Sequence, residues 1–165
     1  MIASPAWKGR RFAVLGLARS GRATVVALLA AGAQVTAWDE KSEARAPFEG
    51  RCDLRDPLEM DLTGFDGVVV SPGVPLNTHP IRPHADKYGV PVIGDIELFA
   101  QARGDLPQHK VVGITGTNGK STTTALVHHI LKTAGLPTTM GGNIGLPILE
   151  QEPLPEGGVY VLELS

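Results

Sequence analysis

The sequence predicts an α/β chain built on parallel sheet, and two observations predict it. Twice, an apolar run of strand length breaks into a glycine-rich loop that opens a helix. The first is Phe12-Ala-Val-Leu15 before Gly16-Leu-Ala-Arg-Ser-Gly21, and the second is Val111-Val-Gly-Ile114 before Thr115-Gly-Thr-Asn-Gly-Lys-Ser-Thr122. Short apolar runs alternating with helical patterns mark βαβ units, whose strands are parallel. Between the two units lies Ala102-Arg-Gly-Asp-Leu-Pro-Gln-His-Lys110, which is polar and broken by Gly104 and Pro107. The expected organisation is a Rossmann-like parallel-sheet domain over residues 1–103, a linker over 104–110, and the start of a P-loop domain over 111–165.

In the first unit, a helical pattern follows the loop from about Arg22 to Ala31 and stops at Gly32, and Gln34-Val-Thr-Ala-Trp38 reads as a second strand ending on Asp39. This is a near-match to G-x-G-x-x-G, with Asp39 at about the distance of a ribose contact. Ala18 stands where the second glycine would let backbone approach a pyrophosphate. From these residues alone, a nucleotide, NAD, or a tight turn closing helix against strand all remain open. Residues 40–65 carry mixed charge and several breaks, and no element is placed there. Gly67-Val-Val-Val70 is a third strand, ending in Ser71-Pro-Gly73 at the side where open α/β sheets bind ligands. A helix is expected late in 79–88, because Pro80 and Pro83 forbid an early start, then an edge strand at Val90-Pro-Val-Ile93. Asp95 is placed as N-cap of a short helix through Ala100.

The second unit carries the stronger signal. Glycines let backbone N–H groups converge on an anion, and the following helix start adds partial positive charge. Gly116, Thr117, Asn118, Gly119, Lys120, Ser121 and Thr122 are the expected ATP-binding residues, with Lys120 reaching the β- and γ-phosphates and the Ser121 hydroxyl on Mg²⁺. The pattern is a variant, since Ile114 stands where G-x-x-x-x-G-K-S begins. Val127, Ile130, Leu131 and Ala134 form an i, i+3, i+4, i+7 stripe, closed by Gly135 and Pro137. The loop Gly141-Gly-Asn-Ile-Gly-Leu-Pro147 brings backbone and Asn143 close either to a ligand or to another backbone. Val159-Tyr-Val-Leu162 is a final strand ending on Glu163, where a second Mg²⁺ ligand belongs beside a P-loop.

Bulk properties exclude several classes. Net charge −2 and a pI near 6.2 give no electrostatic case for nucleic acid. No run of eighteen apolar residues is present, so no membrane span is expected, and the N-terminus lacks the apolar core of a signal peptide. Cys52 alone forms no internal disulfide, and a reducing, cytoplasmic setting is expected. His128 and His129 are adjacent on a helix and diverge, while His79, His84 and His109 are isolated.

Gly-Ile-Thr-Gly-Thr-Asn-Gly-Lys-Ser-Thr (113–122), Gly-Gly-Asn-Ile-Gly-Leu-Pro (141–147) and Leu-Glu-Leu-Ser (162–165) resemble the Mur ligases of peptidoglycan synthesis, and Ser-Pro-Gly (71–73) with Gly-Asp-Ile-Glu-Leu-Phe (94–99) narrow the resemblance. It is greatest to members that add D-glutamate to UDP-N-acetylmuramoyl-L-alanine; alanine-adding members usually carry His in place of Asn118. The resemblance implies that the first domain binds UDP rather than NAD. It places Gly16, Arg19 and Ser20 along the diphosphate and uridine, with Asp39, Glu40 and Lys41 nearby, Gly73 toward the uracil and Asn143 on the UDP-sugar. It implies ATP at Gly116–Thr122, Mg²⁺ on Ser121 and Glu163, and Lys120 as the catalytic lysine. The implied reaction phosphorylates the alanyl carboxylate, and the amine of D-glutamate then attacks. A second lysine, a histidine and the amino-acid-binding domain of the family would lie beyond Ser165, so the sequence is expected to be part of a longer protein that binds UDP-sugar here but ligates only when whole. An NAD-dependent dehydrogenase, a non-catalytic nucleotide-binding regulator and a folylpolyglutamate-type ligase are the competing readings.

Overall fold

The computed structural model describes residues 1–165 and holds two parallel sheets. The first contains β1 (Arg11–Leu15), β2 (Gln34–Trp38), β3 (Asp53–Leu54), β4 (Gly67–Val70) and β5 (Val92–Ile93), in the order β3-β2-β1-β4-β5. Every neighbouring pair is parallel, with Phe12 beside both Val35 and Gly67. Strand order reverses beside β1, so the crevice at the carboxyl ends of β1 and β4 is the switch point of the sheet. Helix α1 (Arg19–Ala30) crosses from β1 to β2, α2 (Ser42–Arg45) follows β2, α3 (Ile81–Lys87) precedes β5, and α4 (Asp95–Ala102) follows it.

The second sheet contains β6 (His109–Ile114), β7 (Thr138–Gly142) and β8 (Gly158–Glu163), ordered β6-β8-β7. Central β8 is buried along its whole length, as a strand covered on both faces must be. Helix α5 (Lys120–Thr133) connects β6 to β7.

Several expectations need correction. Helix α1 begins at Arg19, not near Arg22, because Ala18 is already extended (φ −68°, ψ −171°) and acts as the N-cap. Asp95 is the first helical residue of α4 rather than its cap; Gly94 holds the cap position, and its N–H donates to Glu97 Oε2 at 2.9 Å. The apolar stripe of α5 is not buried: Ile130 is 56% exposed, and Thr124 is the helix's one buried residue. The helix lies on a sheet of three strands, which is too narrow to cover both Val127 and Ile130. Residues 40–65, where no element was placed, hold α2, β3 and two single 3₁₀ turns.

The boundary also differs in kind. Strand β6 starts at His109, inside the expected linker, which shrinks to a 3₁₀ turn at Arg103–Asp105 and three further residues. The two units share one core. Val14, Val25, Leu28, Leu98 and Phe99 from the first pack in the same buried cluster as Ile148, Leu149, Tyr160 and Leu162 from the second. The N-terminus stitches them further: Ile2 N–H donates to Leu149 O at 2.9 Å. Each large side chain buried at this seam contributes about 1.5–3 kcal/mol relative to exposure.

Candidate functional site

Loop 16–18 is held from three sides. Asp39 Oδ2 accepts from the N–H of Leu17 at 2.7 Å, and its Oδ1 accepts from the N–H of Lys41 at 2.9 Å. Ser71 Oγ donates to Gly16 O at 2.7 Å, tying the end of β4 to the loop after β1. Gly21 packs where no other residue fits, since an added Cβ would lie 1.8 Å from Gly16 O. Ala18, the departure from the glycine pattern, has a negative φ and is exposed, so its methyl is accommodated without strain.

A cleft of about 370 Å³ opens above this loop, lined by Arg19, Ser20, Ser71, Gly73 and Asn143 among others. It brings together three segments singled out in the sequence: 16–21, 71–73 and 141–147. Arg19 and Ser20 sit in the first turn of α1, which has no side-chain cap and no acidic residue, so its free N–H groups and dipole favour an anion. Gly16, Asp39, Glu40 and Lys41 do not line this cleft. Asp39 acts on the loop through Leu17, and Arg45 in turn donates to Asp39 O at 2.6 Å while stacking over the Trp38 ring at 4.3 Å. The Arg45 link carries no signal in the sequence, because Arg45 lies in the mixed-charge stretch 40–65.

The second phosphate loop joins β6 to α5. A cleft of about 290 Å³ is lined by Thr117, Asn118, Gly119, Lys120, Ser121, Thr122 and Glu163, so all but Gly116 of the expected ATP residues share it. Gly119 has φ +75°, a conformation that L side chains rarely adopt, and it sets the sharp entry into the helix. Lys120 Nζ donates to Gly116 O at 2.8 Å, spanning the loop. Ser121 Oγ donates to Glu163 Oε1 at 2.9 Å and Oε2 at 3.1 Å, although the two residues are 42 apart in sequence. Glu163 is 5% exposed and therefore not a solvated strand end. The chemistry of the pair suits Mg²⁺, since a hydroxyl and a carboxylate are hard oxygen donors of the kind that ion takes alongside water and phosphate.

A third cleft of about 850 Å³ connects the other two, because Asn143 lines it together with the first and Glu163 lines it together with the second. Asn143 N–H donates to Glu163 O at 3.1 Å, which fixes the junction. Asn77 and Thr78, from the turn after β4, and Arg82, from α3, also line this central cleft; no motif in the sequence marks them. Asp95 lines it too, buried, with Oδ2 lacking any hydrogen-bond partner, and burial holds its carboxyl above the ordinary carboxylate range. The histidines lie elsewhere: His84 Nε2 is 2.9 Å from Met60 O, and His79 Nδ1 accepts from the N–H of Ile81 at 3.1 Å.

Two glycine-rich loops, each opening a helix, face clefts linked through Asn143 and Glu163 on one α/β scaffold. Residues 114–165 match the family model described as the Mur ligase middle domain. Over its whole length the chain is 74% identical to the UDP-N-acetylmuramoylalanine--D-glutamate ligase of Novosphingobium aromaticivorans, covering 37% of that protein. It is 70% identical to the ligase of the same name from Sphingopyxis alaskensis and 60% identical to that of Zymomonas mobilis, covering 38% and 40% of them. Along its whole length the chain is similar to these Mur ligases. It spans less than half the length of these relatives. No helix is long and apolar enough to cross a membrane.

Proposed function

We propose that this chain forms the UDP-sugar-binding and ATP-binding part of a ligase that joins D-glutamate to UDP-N-acetylmuramoyl-L-alanine. The observation that supports the reading most is the continuity of the crevice from Ser20 and Ser71, past Asn143, to Glu163 and the 116–122 loop. A ligand anchored by its diphosphate at the first loop would lay its far end toward the second, where the γ-phosphate of ATP is expected.

Residue roles follow from position. Arg19, Ser20 and the free N–H groups of α1 would hold the diphosphate, with Gly73 and Asn143 flanking the ligand. Asp39 would serve by holding Leu17 and Lys41, leaving Gly16, Glu40 and Lys41 as neighbours of the uridine end. Loop 116–122 would hold ATP, and Ser121 and Glu163 would hold Mg²⁺, which neutralises charge on the phosphoryl group when bound. Lys120 would exchange its bond to Gly116 O for the phosphates and neutralise charge that spreads during transfer to the alanyl carboxylate. Fixing both reactants in one crevice supplies the proximity part of the rate enhancement. The amine of D-glutamate would then displace phosphate to form the amide.

Calorimetric titration of the chain with UDP-N-acetylmuramoyl-L-alanine, with NAD⁺ in parallel, tests this. Saturable binding of the UDP-sugar that is lost in Ser20→Ala/Asn143→Ala supports it. Binding of NAD⁺ alone would overturn it in favour of a dehydrogenase-type site.

A further inference from the structure

A fourth cleft, of about 440 Å³, opens on the outer side of α1 against the turn that follows α2. Arg19, Arg22, Val26, Phe48, Arg51 and Glu150 are among its lining residues, and only Arg19 belongs also to the cleft above loop 16–18. Three arginines therefore line one concavity, two from α1 and one from the turn after Phe48.

None of the three has a counter-charge. The chain contains two ion pairs, Met1 with Glu152 and Arg55 with Asp53, so no carboxylate lies within 4.0 Å of Arg19, Arg22 or Arg51. Acidic residues are not scarce, at 17 Asp and Glu against 15 Lys and Arg, so composition does not force this. Glu150 lines the same cleft yet pairs with none of them. Arg51 lies over the Phe48 ring at 5.6 Å, a contact that limits its freedom. Val26, 36% exposed, adds an apolar wall to an otherwise cationic site. The first turn of α1 brings no acid to offset this charge.

We infer that this cleft binds a phosphate-bearing anion through Arg22 and Arg51, on the far side of α1 from the cleft above loop 16–18, with Arg19 standing between the two. Planar guanidinium forks match phosphate oxygens in a bidentate way that ammonium groups do not, and such charge-assisted bonds are the strong ones. Val26 offers an apolar surface for the group that carries the phosphate, and Glu150 an acceptor for a hydroxyl on it. The inference does not depend on the ligase reading, because Arg22 and Arg51 take no part in either loop.

Residue-resolved NMR of the ¹⁵N-labelled chain, titrated with sodium pyrophosphate at constant ionic strength, tests it. Saturable shifts at the amides of Arg22, Val26, Phe48 and Arg51 are expected. Arg22→Ala/Arg51→Ala should weaken the midpoint at those amides by at least about tenfold, while Lys120→Ala leaves it unchanged. ADP run in the same way separates the sources, since tighter binding than pyrophosphate at these amides means a nucleoside-borne phosphate and equal binding a free one. Shifts confined to residues 16–21 and 116–122, shifts that grow linearly without saturation, or an unchanged midpoint in the double variant would each overturn the inference. If the double variant does not fold, the wild-type map and Arg51→Lys, which keeps the charge but loses the fork, give the same decision.

Discussion

Ser121 and Glu163 meet directly, the hydroxyl donating to both carboxylate oxygens at 2.9 and 3.1 Å, and this contact ties the start of α5 to the end of β8. In the proposed reading, these two hard oxygen donors would supply two of the six ligands of a magnesium ion. Glu163→Gln keeps the shape and removes the charge. It should lower Mg²⁺-dependent ATP affinity by about tenfold or more, with little change in binding measured without the metal. Titration of a fluorescent ATP analogue with and without Mg²⁺ checks this; an equal loss in both would show that Glu163 acts only on the loop's shape.

Asp39 holds loop 16–18 through the Leu17 N–H, a charge-assisted bond of 2.7 Å. Asp39→Ala removes it, together with the bond to Lys41, and should cost about 1.5–3 kcal/mol in urea unfolding. UDP affinity should fall with it, although Asp39 does not line the cleft above the loop. If affinity fell with no loss of stability, Asp39 would instead be touching the ligand.

Gly21 has no room for a methyl, with an added Cβ 1.8 Å from Gly16 O. Gly21→Ala must push α1 away from β1, at a cost of about 3 kcal/mol or more, and should abolish binding at the first cleft. Ala18→Gly should leave the fold within about 1 kcal/mol, because that position already has an ordinary backbone. Thermal unfolding of both variants separates the two cases.

The shared core predicts that the two sheets unfold together. Ile148 is fully buried and packs in one cluster with residues of both units. Ile148→Ala should cost about 2–5 kcal/mol and shift a single transition downward. Two resolved transitions in the wild type, by calorimetry, would contradict the shared core.

Burial raises the Asp95 carboxyl above its ordinary value, and its Oδ2 has no partner. A raised value means the folded state binds the proton more tightly than the unfolded state. Stability from this group is therefore fully present below the ordinary carboxylate value of 3.8 and is lost as pH rises through the raised one. Asp95→Asn should be more stable than the wild type at neutral pH, with the gap closing as the pH is lowered toward 4. Urea unfolding at several pH values checks both the sign and the window.

Local chemistry made much of this chain legible. An apolar run followed by Gly16-Leu-Ala-Arg-Ser-Gly21, or by a loop ending in Gly119-Lys-Ser121, encodes strand, turn and helix within a few residues, because periodicity and glycine's conformational freedom act at that range. The edge position of β5 could be read from Pro91, whereas α3 starts early, at Ile81, because its first turn accommodates Pro83, whose missing N–H has no partner there. What could not be read is whatever depends on pairing distant residues. Asp39's work on Leu17, the junction of Asn143 with Glu163, the seam of Ile148 against Leu28 and Phe99, and the gathering of Arg19, Arg22 and Arg51 are all of this kind. Even the helix stripe on α5, correct as periodicity, did not reveal how much sheet lies beneath it. Sequence alone determined two glycine-rich strand-turn-helix units on parallel strands, since each is a local event. Only the tertiary structure decided that they open onto one crevice over one core, because burial and hydrogen bonding between distant segments are settled by packing of the whole chain.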